Sequence, residues 1–159
     1  MIGGVVAFSA VDWLVSVSEA VKSINSDEAI EQRRRELALG RGATLHDIVV
    51  SSSHDPDVMR PVDALADFAE SRERRLSVAR AEVADAMRVF EGMRSVGHME
   101  AAAADVLELT YIHLLSRGEV AAELGMSRSS AQRCHAYGVE WLDANGLAHA
   151  KVGMGAAAV

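Results

Sequence analysis

Residues 119–133 read EVAAELGMSRSSAQR, a short run of small helix formers, a glycine, a methionine, then a serine opening a polar run that holds no acid. Two descriptions fit such a stretch: a helix-turn-helix, or two short helices of an alanine-rich bundle. A helix-turn-helix needs a small residue where its helices cross, a turn residue tolerant of positive φ, and apolar anchors on one face of each helix. Ala121 and Gly125 meet the first two needs. Val120, Leu124, Ala131 and Cys134 supply the anchors at the required intervals.

The flanking residues agree with that reading. Ser116 to Glu119 spells S-x-x-E, the capping box that starts a helix. Gly125 then serves as a left-handed C-cap and Ser127 as the N-cap of a further helix, which runs to about Ala144 ahead of Asn145 and Gly146. That helix is expected to bury Ala131, Cys134, Gly138, Trp141 and Leu142. Arg128, Ser129, Gln132, Arg133 and Ala136 face outward. Arginine can pair bidentately with guanine and glutamine with adenine, while Ser127 with its helix N-terminus can hold a phosphate. Arg117, at the start of the preceding helix, completes the candidate contact set of Ser127, Arg128, Ser129, Gln132, Arg133 and Arg117.

Further upstream the character changes. Val62, Leu65, Ala69, Arg72, Leu76, Ala79, Val83, Ala86, Phe90 and Met93 step by three and four, the a/d seam of a coiled coil interrupted only by Arg72. At about 1.5 Å per residue this is a rod of roughly 47 Å, which needs a partner along its length. Two N-terminal helices folding back as an antiparallel hairpin would supply one, and a second copy in a homodimer is the rival. The first of those helices covers about Ala10 to Asn25, with Val11, Leu14, Val17, Val21 and Ile24 on one face. The second is expected to start at Ser26, an N-cap candidate followed by Asp27 and Glu28, and to stop before Gly40. Its Arg33 to Arg35 run is read as a solvated face, with a phosphate-binding patch as the alternative.

Between Gly40 and Arg60 periodicity lapses into a connector. His46, Asp47, His54, Asp55 and Asp57 there lack a metal-site spacing. Gly97 breaks the rod, and a helix from about Met99 to Leu114 leads into the capping box. The expected organisation is all-α: residues 1–96 a helical hairpin or coiled-coil spacer, 97–146 a helix-turn-helix domain, and 147–159 a disordered tail.

Composition narrows the function. Half of the 159 residues are apolar and a quarter charged, with two prolines and few aromatics, as expected of an all-helical chain. A single cysteine, Cys134, excludes an intramolecular disulfide, and a cytoplasmic location follows as the expectation. The apolar start MIGGVVAFSAVDWLVSV has no basic flank and is interrupted by Asp12, well short of the roughly 18 to 20 residues of a membrane span. It reads as a disordered lead into a core helix, and no membrane partner is expected. The net charge is −7, but it is segregated: Met126 to Gly138 holds two arginines and no acid, whereas Val11 to Glu31 holds one lysine against five acids. No phosphate-binding glycine loop, catalytic carboxylate pair or nucleophile motif is present, and His113 and His135 have no evident carboxylate partner in the sequence. Neither an enzyme nor a cofactor is expected.

The stretch VLELTYIHLLSRGEVAAELGMSRSSAQRCHAYGVEWL resembles the sigma-factor region 4 type of helix-turn-helix, and DIVVSSSHDPDVMRPVDALADFAESRERRL ahead of it is similar to phage-encoded ArpU-type and RinA-type transcriptional regulators. The likeness covers about Leu45 to Leu142, with its specific part in the helix-turn-helix. It implies a sequence-specific regulator, phage or prophage encoded, that acts at late phage promoters and reads the major groove of double-stranded DNA with helix 128–144, using Ser127, Arg128, Ser129, Gln132 and Arg133. The chain departs from the pattern at Ala131, where a branched aliphatic is usual, and at Gly138, where a helix former is commoner. The competing expectation is a non-catalytic helical adaptor that docks on RNA polymerase or another regulator.

Overall fold

The computed structural model describes residues 7–40 and 59–153. The fold is all-α: five helices, α1 (Ala10–Gly40), α2 (Met59–Arg94), α3 (His98–Tyr111), α4 (Arg117–Glu123) and α5 (Arg128–Val152), with no strand among the described residues. Among those residues no helix is long and apolar enough to cross a membrane. The connector, with its five candidate metal ligands, and the first six residues lie outside the described residues.

α1 is one helix where two were expected. Ser26 does not cap; it is an exposed residue in mid-helix. Between Ala10 and Leu39 no glycine or proline interrupts the backbone, and Asn25, Ser26 and Asp27 each cost only about 0.5 kcal/mol of helix propensity. Asp27 also gains a partner from the helical position, accepting a hydrogen bond from Arg72.

The packing does not follow the expected boundary at residue 96. The chain divides instead into one unit of residues 1–21 with 80–159 and another of residues 22–79. In the first unit Ala10, Leu14 and Val17 of α1 and Ala86, Val89, Phe90 and Met93 of α2 share one core with Ala103, Ala104 and Leu107 of α3 and Leu142 and Ala150 of α5, all fully buried. Trp13 packs on Phe90 with ring centroids 6.2 Å apart. Ser16 bonds to Glu82, so α1 and α2 run antiparallel here. Polar contacts tie the remaining helices in: the Ala10 N–H donates to Asp143 Oδ1 at 2.7 Å, and Arg94 donates to Asp105 at 2.8 Å and to Glu108. The hydrophobic end of the rod is therefore part of the C-terminal domain.

The C-terminal expectation also changes. The helix does not end at Ala144; α5 bends at Gly146 (φ 77°, ψ 163°) and resumes to Val152. Residues 147–152 are thus helical where a disordered tail was expected, and 154–159 lie outside the described residues. Ala150 is fully buried and Lys151 pairs with Asp85 at 2.7 Å, which holds this last turn in place.

In the second unit α1 and α2 lie side by side. Arg72, the one polar residue of the seam, bonds to Asp27 and lies 3.9 Å from Glu31. Leu76 and Ala79 are buried there, but Leu65, at 69% exposure, and Ala69 are not. The seam is covered over only part of its length.

Candidate nucleic-acid interface

The interface is set up by local backbone chemistry. After α3 the chain turns at Leu114, a non-glycine residue with positive φ (55°), and the Leu115 N–H donates to Leu109 O at 3.0 Å. Ser116 then caps α4 reciprocally: its hydroxyl accepts from the Glu119 N–H at 3.4 Å, and the Glu119 carboxylate accepts from the Ser116 N–H at 2.7 Å. These bonds to Ser116 hold the Glu119 carboxyl below the usual carboxylate range. α4 stops at Gly125, whose φ of 62° is the left-handed conformation a glycine adopts without strain. The Met126 N–H donates to Ala121 O at 2.9 Å across that turn. Ser127 opens α5 by accepting from the Ser130 N–H at 3.1 Å.

The two helices meet through small and branched residues. Val120 and Ala121 of α4 and Ala131 of α5 are buried, while Leu124 and Cys134 are half-buried. Gly138 is explained by α3: a Cβ at this position would stand 2.8 Å from Leu107 Cδ1 and 3.1 Å from Ala103 Cβ. Its cost in helix propensity permits the close crossing of α3 and α5.

All six candidate contact residues are exposed. Five of them, Arg117, Arg128, Ser129, Gln132 and Arg133, line one open groove together with Ser116 and Gly118. Ser127 stands apart, its hydroxyl used in the cap and in a 2.9 Å bond to Ser130 Oγ. Arg133 Nη2 lies 3.4 Å from that same Ser130 Oγ, so its guanidinium is drawn back toward the start of α5. Arg128 crosses to α4: a Cβ on Gly118 would stand 3.2 Å from its Nη2. Sequence reasoning missed Gly118, whose lack of a side chain gives Arg128 this position. No acid lines the groove, and none of Arg117, Arg128 and Arg133 pairs with a carboxylate among the described residues.

Behind the groove, the Tyr111 hydroxyl lies 3.0 Å from His135 Nε2. Burial, then the charge of Arg117, holds the His135 imidazole below its ordinary value, and burial raises the Tyr111 hydroxyl. His113, expected to lack a carboxylate partner, lies 3.6 Å from Glu108.

In comparisons with known proteins, no family model, curated protein or solved structure matches the chain.

Proposed function

We propose that this chain is a DNA-binding transcriptional regulator of the cytoplasm that lays the exposed side of α5, residues 128–144, in the major groove of double-stranded DNA. The observation that carries the reading is the acid-free groove in which Arg117, Arg128 and Arg133, none with a carboxylate partner among the described residues, stand beside Gln132 and Ser129. Guanidinium groups without carboxylate partners are free to neutralise phosphates or to pair with guanine, and Gln132 offers the donor and acceptor that adenine matches. The N-cap of α5 adds unsatisfied N–H groups at a positive helix end, which favours a phosphate.

The net charge of −7 opposes binding at a distance, so affinity must come from this local patch and fall steeply with salt. If all three arginines met phosphates, the logarithm of the binding constant would fall against the logarithm of salt with a slope of about −3. The likeness to ArpU-type and RinA-type regulators extends the proposal to late phage promoters as targets. Immunoprecipitation of bound genomic DNA followed by sequencing tests the reading and names the target together. Enrichment of discrete promoters is the expected result. Absence of enrichment, with RNA polymerase recovered alongside the chain, would replace this reading with that of an adaptor.

A further inference from the structure

Where α1 and α2 lie side by side in the unit of residues 22–79, one side of the pair is an open groove of about 290 Å3. Its floor is Leu76, 5% exposed, with the ion pair of Arg72 and Asp27. Ile30 of α1 and Phe68 of α2 border that floor at 47% and 57% exposure, so much of their apolar surface stays in water. Helical spacing extends both rows. Ser23, Ser26, Ile30, Arg33 and Leu37 step by three and four along α1, and Ala64, Phe68, Ser71 and Arg75 do so along α2, every one of them exposed. The small residues leave room for another backbone to approach, and neither row contains an acid.

The acids are placed elsewhere. Glu28, Glu31 and Glu36 of α1 fall outside its row, as do Asp63, Asp67, Glu70 and Glu73 of α2, and Asp27 is held by Arg72. Arg34 and Arg75 line the groove, and neither pairs with a carboxylate among the described residues. A second copy seated on this face about a two-fold axis would bring the arginines against their own like, which is unfavourable. Duplex phosphates would use the guanidinium groups but leave Ile30, Leu37 and Phe68 in water. A membrane surface suits the apolar stripe of a single helix lying flat, whereas these side chains border a hollow between two helices. A helix with an apolar stripe and acidic flanks uses both the hollow and its rim, since guanidinium and carboxylate pair bidentately.

We infer that this groove docks an acidic amphipathic helix of a partner protein, laid as a third helix against α1 and α2. Its apolar stripe rests on Ile30, Leu37 and Phe68, and its carboxylates take Arg34 and Arg75. From Ser23 to Leu37 the row is about 21 Å long at about 1.5 Å per residue, roughly four turns of a partner helix. The groove shares no residue with the face assigned to DNA, so its occupant stands or falls apart from that reading.

The probe is a fluorescein-labelled synthetic helix of about three heptads, with leucine at a and d and glutamate at e and g to keep it monomeric. A twin carrying lysine for glutamate and a scrambled sequence of the same composition are the controls. Titrated with the full chain, the acidic helix should gain anisotropy saturably and bind at least about tenfold more tightly than either control. Ile30→Ser and Phe68→Ser change exposed residues, so the double variant should keep the native melting temperature and bind the acidic helix at least about tenfold more weakly. Arg34→Glu combined with Arg75→Glu should exchange the preference, so that the lysine twin becomes the tighter ligand. Damage to the fold does not produce that gain. Absence of saturable binding, equal binding of the scrambled sequence, affinity unchanged in the serine variant or a preference that does not exchange would overturn the site. A dimer in sedimentation that the serine variant dissociates would overturn it in favour of a second copy. Tighter binding to phosphatidylglycerol vesicles through the same residues would overturn it in favour of a membrane. Binding of the acidic helix only after residues 41–58 are replaced by a glycine–serine linker would overturn it in favour of this chain's own connector.

Discussion

The carbonyl oxygen of Ala150 lies 1.8 Å from the point where a Cβ on Gly92 would stand, so α2 and the last turn of α5 meet backbone to backbone. Gly92→Ala would by propensity strengthen α2 by about 1 kcal/mol. In this contact it must instead displace α5, and we expect a net loss of about 1 to 3 kcal/mol in denaturant unfolding. A variant as stable as the native protein would show that the last turn does not dock on Gly92.

Deleting residues 97–159 should not leave a well-folded hairpin. Leu14, Phe90 and Met93 are fully buried, and they share their core with α3 and α5. The fragment should bind a hydrophobic dye and lose its cooperative thermal transition, as read by fluorescence and circular dichroism. A soluble, cooperatively melting fragment would mean that α1 and α2 suffice for each other.

How much of this was legible in the sequence depended on the range of the chemistry. The capping box, Gly125 and Ser127 were readable because each cap is completed within three or four residues. The same logic misled at Ser26, where a capping signature sits inside a helix that no breaker interrupts, and where Asp27 finds Arg72 45 residues away. Gly146 does take the positive φ of a helix end, yet the chain resumes its helix because Ala150 fits against Gly92, a pairing of small residues that no local pattern reveals. In the candidate interface, the outward positions of α5 followed from helical spacing. The seating of Arg128 over Gly118 depends on how α4 and α5 meet.

Ser116→Ala removes the acceptor for the Glu119 N–H, while the backbone N–H of residue 116 can still donate to the Glu119 carboxylate. A loss of about 1 kcal/mol in denaturant unfolding is expected, as for other N-caps. Faster amide hydrogen exchange should be confined to the start of α4. Exchange unchanged at Glu119 would mean that the box contributes nothing.

His135 provides a pH test. Its imidazole is held below its ordinary value by burial and by Arg117, so the unfolded chain binds this proton more readily than the folded one. The stability it contributes is therefore fully present above the unfolded value of about 6.5, and is lost as pH falls from there through the lower folded value. Between those limits the native protein should lose stability more steeply than His135→Gln. Identical slopes, or a His135 that titrates by nuclear magnetic resonance at or above 6.5, would contradict the burial of the pair with Tyr111.

The most direct test of the DNA-reading role is a titration of labelled promoter fragments with native protein and with the Arg128→Ala, Arg133→Ala double variant across a salt series. Both side chains are exposed, so the variant should keep the native melting temperature. Loss of a base-reading contact should cost about 1 to 3 kcal/mol of specific binding, and loss of a phosphate contact should lower the salt slope by about one. The variant is expected to bind its best fragment at least about tenfold more weakly than native protein, with a shallower salt dependence. A folded double variant that bound that fragment as tightly as the native protein would contradict DNA reading by α5.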